Sequence, residues 1–514
     1  MTKTLYCLTF FVLCCSFLSG FNGETDPLEQ KAVDLALIKA GKNRIELEKA
    51  ISYFKKANNP LKLRAVYFLI ANMDIHSSAT YGWVDNKGNN IPYDELSYPT
   101  VSAAKKALEL LKMRHPGMHV VAEEIPDIGS IKADLLIQPV NDSFSAWRSS
   151  PAKDIPFEEY CEYILPYRVS VEPIEPWVEA YRQRFSWLGK SINTQGLQKG
   201  LSALSVDVSG WFTVASAEQV RKEPLPRLGA MQLLFRKLGP CEDVADLSAF
   251  IFRSQGIPVA LDVVPYWATS TGSHFSTTVF FPQMHPNQFD LSRANALGSA
   301  VPREPSKVLR ITYSRQPNTL ASFVKPNDIP EGFMRTENYK DVTQEYWKTS
   351  DVSCPLFPSA GNKQVAYACV FNGLKWRPTW WSRIGENSAI FGNMSKGVVY
   401  LPVLYNNNKL VPAGFPVAEG YTHAVVLAPD MGKRITVDMK QESGYLNYKM
   451  GRTYRLYYWN NKWELIGQQT AGLNTTELFF PNVPSNSLML MVVDHSTRKE
   501  RPFIIANDGK RIWF

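Results

Sequence analysis

Apolar residues recur at helical spacing through the first part of the chain. Leu47, Ala50, Ile51 and Phe54, and then Leu63, Val66, Tyr67 and Ile70, follow the i, i+3, i+4, i+7 pattern that lines one face of a helix. Asn58, Asn59 and Pro60 separate these two helices, and VSAAKKALELLK predicts another that His115 and Pro116 stop. Residues 24–150 are therefore expected to form an N-terminal helical region. Across 151–350 the texture alternates. Helical patterns around FEEYCEYILPYR and from Cys241 to Ser254 are followed by strand patterns in PVALDVVPYW, HFSTTVFF and KVLRITYS, which predicts an α+β unit with an antiparallel sheet. Beyond about Tyr346, runs such as GVVYLPVLYNNNKLVPAGFPV, TYRLYYWNNKWELIG and SLMLMVVDH are punctuated by Asn, Pro and Gly, as in β-sandwiches. Boundaries near Cys354 and Gly432 divide this part into a β-sandwich over 351–432 and a second β-rich domain over 433–514.

The 514 residues are 45% hydrophobic and 20% charged, which suits several packed units. A net charge of +8, with 56 Lys and Arg scattered along the chain, offers no basic stripe to track a phosphate backbone and disfavours nucleic acid as a partner. The opening MTKTLYCLTFFVLCCSFLSGFNGE has a lysine, a short apolar run and small residues, the layout of a secretory leader over 1–23. It predicts an exported protein, periplasmic or at the cell surface, with Cys14 or Cys15 as a loose lipidation site. No later run is long and apolar enough to predict a transmembrane span.

Beyond the leader only Cys161, Cys241, Cys354 and Cys369 remain, too few for a disulfide scaffold. Cys354 and Cys369 are the pair to expect if any disulfide forms, which leaves Cys161 and Cys241 as free thiols. His76, His115 and His119 lack metal-ligand spacing and read as surface or capping residues. No phosphate loop, CxxC pair or calcium loop occurs, and no cofactor is expected.

A lone cysteine is more often core filling than chemistry, but Cys241 sits where a thiolate is stabilised. Gly239 and Pro240 end the preceding segment, Glu242 and Asp243 suit a first helical turn, and the helix continues apolar through Val244, Ala245, Leu247, Ile251 and Phe252. A base must come from elsewhere. His274 opens an alternating strand pattern that would lie beside the helix, and Asp290, after the turn-rich PQMHPN, would present a carboxylate from a neighbouring strand. An oxyanion needs donors near the sulfur. The Cys241 backbone N–H is one, and Gln232 in MQLLFRK is a weak candidate for the other, equally readable as a solvated helix residue.

Cysteine, histidine and aspartate in this order, with CEDVADLSAFIFRSQGIPVALD around the first, resemble the transglutaminase-like superfamily of thiol enzymes. The matching positions are Cys241, Asp243, Ala245, Arg253, Ser254, Gly256, Ile257, Pro258, His274 and Asp290. AGKNRIELEKAISYFK, FEEYCEYILPYR, GVVYLPVLY and the closing RIWF extend the resemblance to exported bacterial members with a β-rich C-terminal region. The resemblance implies a papain/transglutaminase-like core between the helical region and C-terminal β-sandwich domains. It also implies a Cys241–His274–Asp290 triad that forms a thioester and hydrolyses or transamidates peptide, protein or glycopeptide amides. His274 is followed by Phe275, Ser276 and Thr277 where the superfamily usually has His-Ser-Trp-Asn or His-Ala-Trp, a departure that bears on substrate positioning. The alternative is a binding or scaffold protein that has lost the chemistry and holds glycan or peptide. Trp376, Trp380, Trp381, Trp459 and Trp463 would then line a sugar platform, although β-sandwich cores also consume aromatics.

Overall fold

The computed structural model describes residues 27–216, 219, 227–293, 296–297, 301–358, 363–420, 423–506 and 508–514; the leader with Cys14 and Cys15 lies outside them. The chain is α+β with a β-rich C-terminal part. Helices Arg44–Lys56 and Pro60–Ala71 bury Leu47, Ala50, Ile51 and Phe54, and Val66, Tyr67 and Ile70, as their spacing requires. The second starts where Asn59 Oδ1 accepts from the Lys62 N–H (3.1 Å), with Pro60 in the first turn, where its missing N–H costs nothing. A three-stranded antiparallel sheet interrupts these helices, its strand Ser77–Val84 pairing with His119–Pro126 in eight-residue register. The helix Val101–Arg114 separates the two partners, so local periodicity does not report the pairing.

The Cys241–Ser254 helix is buried at every residue from Asp243 to Ser254. It packs on the Val178–Arg184 helix and on the strands Val259–Val264 and His274–Phe280. Leu247, Phe250, Ile251 and Phe252 are wholly enclosed, each contributing about 1.5–3 kcal/mol of apolar burial. Gly256 ends the helix with φ +66°, and a Cβ there would stand 2.4 Å from the Ala146 carbonyl, so the RSQGIP turn admits no larger residue. Five antiparallel strands follow in the order Tyr339–Asp341, Leu309–Ile311, Val259–Val264, His274–Phe280, Pro286–Phe289. Buried charges brace this sheet: Arg310 grips Asp262 through Nε (2.9 Å) and Nη2 (2.8 Å), and Asp262 also accepts from Thr278 Oγ1 (2.7 Å).

In the C-terminal part the hairpin Val365–Asn372/Lys375–Arg383 pairs with Val398–Asn406, and a second sheet is built around Thr453–Trp459. Cys354 lies inside the strand Thr349–Pro355 and Gly432 inside Asp430–Lys440. One apolar cluster joins Tyr367, Leu401, Trp459 and Leu488 across both sheets. Cys354 and Cys369 do not pair. They are free thiols on different strands in different apolar clusters, and burial pushes the Cys354 thiol up to about 12. Cys161 is likewise a buried core thiol. His76 is buried rather than superficial: its ring stacks on Tyr313 (4.3 Å), its Nε2 meets the Tyr313 carbonyl (2.8 Å), and burial lowers it to about 3. Among the described residues no helix is long and apolar enough to cross a membrane.

Candidate active site

Cys241 is the first residue of its helix, preceded by Pro240 in extended conformation, and is half-buried. Backbone N–H groups of a first turn have no intrahelical acceptor, so the sulfur stands at the positive end of the helix dipole. Arg227 holds this end in place. Its Nε donates to Asp246 Oδ2 (2.8 Å), its Nη2 donates to the Glu242 carbonyl (2.9 Å), and its guanidinium lies over the Phe275 ring at 4.9 Å. Asp246, wholly enclosed, is raised to about 6 by burial against the pull of Arg227.

The helix packs against the strand face that carries Phe275, Thr277 and Val279, where Ser248 Oγ meets Thr277 Oγ1 at 3.1 Å. His274 is the first residue of that strand; its imidazole hydrogen-bonds with Asp290, and Cys241 is near enough to act on its charge. Nε2 lies 2.8 Å from Asp290 Oδ2, which leaves Nδ1 for the sulfur. Asp290 follows the strand Pro286–Phe289 and is 2% exposed. Its Oδ1 accepts from the Ser292 N–H (3.0 Å) and Ser292 Oγ (2.6 Å), so only Oδ2 faces the ring. Burial alone would push the imidazole down; the hydrogen bonds to Asp290 and Cys241, and their charges, overcome it and bring His274 up to about 9. The arrangement therefore favours the imidazolium form of His274. Trp267 stacks on the imidazole with ring centres 5.6 Å apart and planes 26° apart.

The structure thus brings Cys241, His274 and Asp290 together and engages Gln232 elsewhere. Its Nε2 donates to Glu95 (2.9 Å) and its Oε1 accepts from the Gly229 N–H (2.9 Å), so it caps its own helix and ties it to the N-terminal region. Arg253 anchors backbone, donating through Nη1 to the Pro166 (3.3 Å) and Arg168 carbonyls. Trp267 and Arg227 were not singled out from the sequence. Trp267 lies seven residues before His274 with no motif to mark it, and only the strand pairing of Val264 with His274 brings the two rings together. The aromatics of the β-rich part pack on one another edge to face: Trp376 on Trp459 (5.4 Å), Trp459 on Trp463 (5.1 Å) and Trp463 on Phe371 (5.5 Å). Trp459 is buried, and Trp376, Trp381 and Trp463 are half-buried against the same apolar cluster. Among the described residues no three His, Cys, Asp or Glu side chains are placed to hold a metal ion.

No family model and no curated protein matches this chain. Among the solved structures, 32 chains match. One is a red sea bream transglutaminase, 9% identical with a TM-score of 0.21, the match covering 86% of this chain and 77% of that one. A likeness that loose supplies no argument, and the chemistry rests on the geometry of the site itself.

Proposed function

We propose that the protein is an exported thiol enzyme with a transglutaminase-like core, acting on amide bonds through Cys241, His274 and Asp290. One observation supports this above the others: an imidazole whose Nε2 lies 2.8 Å from a buried carboxylate and whose charge is favoured by a nearby cysteine at a helix start.

In the proposed reaction Cys241 Sγ, as thiolate, attacks the amide carbonyl carbon and forms a C–S bond, placing the charge on oxygen. The Cys241 N–H in the first turn faces that oxygen. The His274 imidazolium gives its Nδ1 proton to the amide nitrogen, the C–N bond breaks, and the amine leaves behind a thioester. Water then attacks the thioester while neutral His274 takes its proton; the C–S bond breaks, and acid product and thiolate–imidazolium pair are restored. An amine in place of water gives transamidation. Asp290 holds the ring with its proton on Nε2 and Nδ1 turned to the sulfur. Peptides, proteins or glycopeptides supply such amides.

The test is selective alkylation followed by thioester trapping. Iodoacetamide at neutral pH is expected to label Cys241 in the folded protein well before Cys161, Cys354 or Cys369. With p-nitrophenyl acetate an acyl group is expected on Cys241 by mass spectrometry, discharged to hydroxamate by hydroxylamine and absent in Cys241→Ala. Labelling of Cys241 no faster than Cys161, with no acyl adduct, would overturn the proposal.

A further inference from the structure

We propose that Asn372, at the tip of a hairpin in the β-rich part, is a positioning residue for the Cys241–His274–Asp290 site, so that the β-rich part is a working component of the active site; this rests on the thiol-enzyme reading above.

Residues 265–273 join the strands Val259–Val264 and His274–Phe280 and deliver the chain to His274. Side chains alternate along the start of this loop. Tyr266 and Ala268 enter the apolar cluster of the β-rich part, against Val352, Cys354, Ala366 and Ala368. Trp267, between them, packs instead with Val264, Val301, Val308 and Val342 and stacks on the His274 imidazole. The loop is thus gripped from one side by the β-rich part while its other side presents an indole to the proposed base.

Asn372 ends the strand Val365–Asn372, where Gly373 and Leu374 turn the hairpin with positive φ. Its side chain is 6% exposed and reaches into the loop. Nδ2 donates to the carbonyls of Trp267 (2.9 Å), Ser270 (2.9 Å) and Gly272 (3.0 Å), and Oδ1 accepts from the Gly272 N–H (3.3 Å). The Trp267 N–H closes the ring by donating to the Gly272 carbonyl (3.1 Å). One amide therefore fastens the loop at both ends, at the residue that stacks on His274 and at the residue two before it. The segment around Glu304 holds the loop up to Ser270, through the Ala268 N–H, Thr269 Oγ1 and the Arg303 Nη1 that donates to Ser270 Oγ (2.9 Å), and leaves Gly272 to Asn372. No other amide side chain in the structure bonds both Trp267 and Gly272 among the described residues.

The ring of His274 must keep Nδ1 on the sulfur and Nε2 on Asp290 at once, and a stacked indole restricts its tilt. Without the Asn372 donors the Trp267 and Ser270 carbonyls lose this partner, the Gly272 carbonyl keeps only the Trp267 N–H, and the loop relaxes to find others. The indole then moves off the imidazole, and the base loses its alignment with Cys241 although no residue of the triad has changed.

The test uses the full-length protein with Asn372→Ala and Asn372→Asp, the latter nearly isosteric but unable to donate, and with Trp267→Phe, which keeps a ring over His274. Three readouts are taken: the His274 midpoint by NMR of labelled imidazole carbon, the ratio of Cys241 alkylation by iodoacetamide at pH 6.5 to that at pH 10, and hydrogen exchange across 265–273. Both Asn372 variants are expected to lower the His274 midpoint by about one unit, reduce the alkylation ratio about tenfold and speed loop exchange, while Trp267→Phe stays within about threefold of wild type. Folded variants with an unchanged midpoint and ratio would overturn the proposal, because a purely structural role moves stability without moving either. Wild-type Cys241 reacting no faster than Cys161 would instead end the thiol-enzyme reading, and unchanged loop exchange in Asn372→Ala would by itself overturn the fastening of the loop.

Discussion

Replacing Asp290 by asparagine tests the site at its most enclosed point. The variant keeps size and shape, and the surroundings dictate how it sits. Ser292 donates twice to Oδ1, through its N–H (3.0 Å) and Oγ (2.6 Å), so the new carbonyl oxygen stays there and the new amide nitrogen takes the place of Oδ2, 2.8 Å from His274 Nε2. An amide N–H requires an acceptor, which forces the imidazole proton from Nε2 to Nδ1 and turns an N–H toward the sulfur where an acceptor is needed. The electrostatic loss runs the same way. His274 is raised from 6.5 to about 9 against burial, a preference for the imidazolium of about 3 kcal/mol that Asp290 and Cys241 share, the Asp290 hydrogen bond leading. With that bond reversed the burial remains, and the midpoint is expected at or below 6.5. If about 2 kcal/mol of the stabilisation is lost, Cys241 alkylation at pH 7 falls about thirtyfold. The sign for stability follows from linkage: the His274 contribution is full below pH 6.5, its unfolded value, and fades as pH rises through about 9, so the variant loses that slope. Iodoacetamide kinetics from pH 5 to 10, with NMR of His274, provide the assay. A midpoint still near 9 and an alkylation rate within twofold of wild type would refute the reasoning.

Other substitutions probe the frame. Asp127 accepts from Arg168 Nε and Nη2 at 2.7 Å each in a wholly buried pair, so Asp127→Asn strands a guanidinium and is expected to cost about 3–5 kcal/mol in urea denaturation. Gly256→Ala meets the Ala146 backbone at 2.4 Å with φ +66°, and the helix that carries Cys241 is expected to lose its fixed end, lowering stability by about 2–3 kcal/mol by the same measurement. Lys307, fully buried, donates to Asp341 (2.6 Å) and to the Gly392 (2.9 Å) and Asn393 (2.8 Å) carbonyls, joining the core to the β-rich part. Lys307→Met is expected to destabilise by about 2–4 kcal/mol in a calorimetric scan, because three acceptors lose their donor at once.

What could be read from the chain was local. The start of the Cys241 helix shows in Pro240, Glu242 and Asp243 within four residues, and the alternation from His274 shows within seven. Asp290 is legible beside His274 because one short turn separates the strand before it from that of His274. Features that depend on distant segments were not legible. Asn372 meets Trp267 across 105 positions, and no period or motif relates them. Gln232 was placed near the sulfur by its nearness in sequence, whereas its partner Glu95 lies 137 residues away. Cys354 and Cys369 suggested a disulfide by proximity along the chain, but each is consumed by a different apolar cluster, where a thiol packs as a small hydrophobe.

The residues after His274 explain themselves in the structure by what they hold together. Phe275 lies under the Arg227 guanidinium that fixes the start of the Cys241 helix, and Thr277 Oγ1 touches Ser248 of that helix while donating to the Phe289 carbonyl (2.9 Å), one residue before Asp290. The strand beyond His274 thus spaces the thiol and the carboxylate that flank its first residue. Ser276 and Thr277 are buried, and Phe275 is half-buried against the helix cluster. On one face of His274 Trp267 stacks, and the exposed Arg303 lies over that indole at 5.6 Å. That side is framed by the 265–273 loop and, through Asn372, by the β-rich part, so changes in the hairpin are expected to alter chemistry at Cys241 more than changes at Ser276 do.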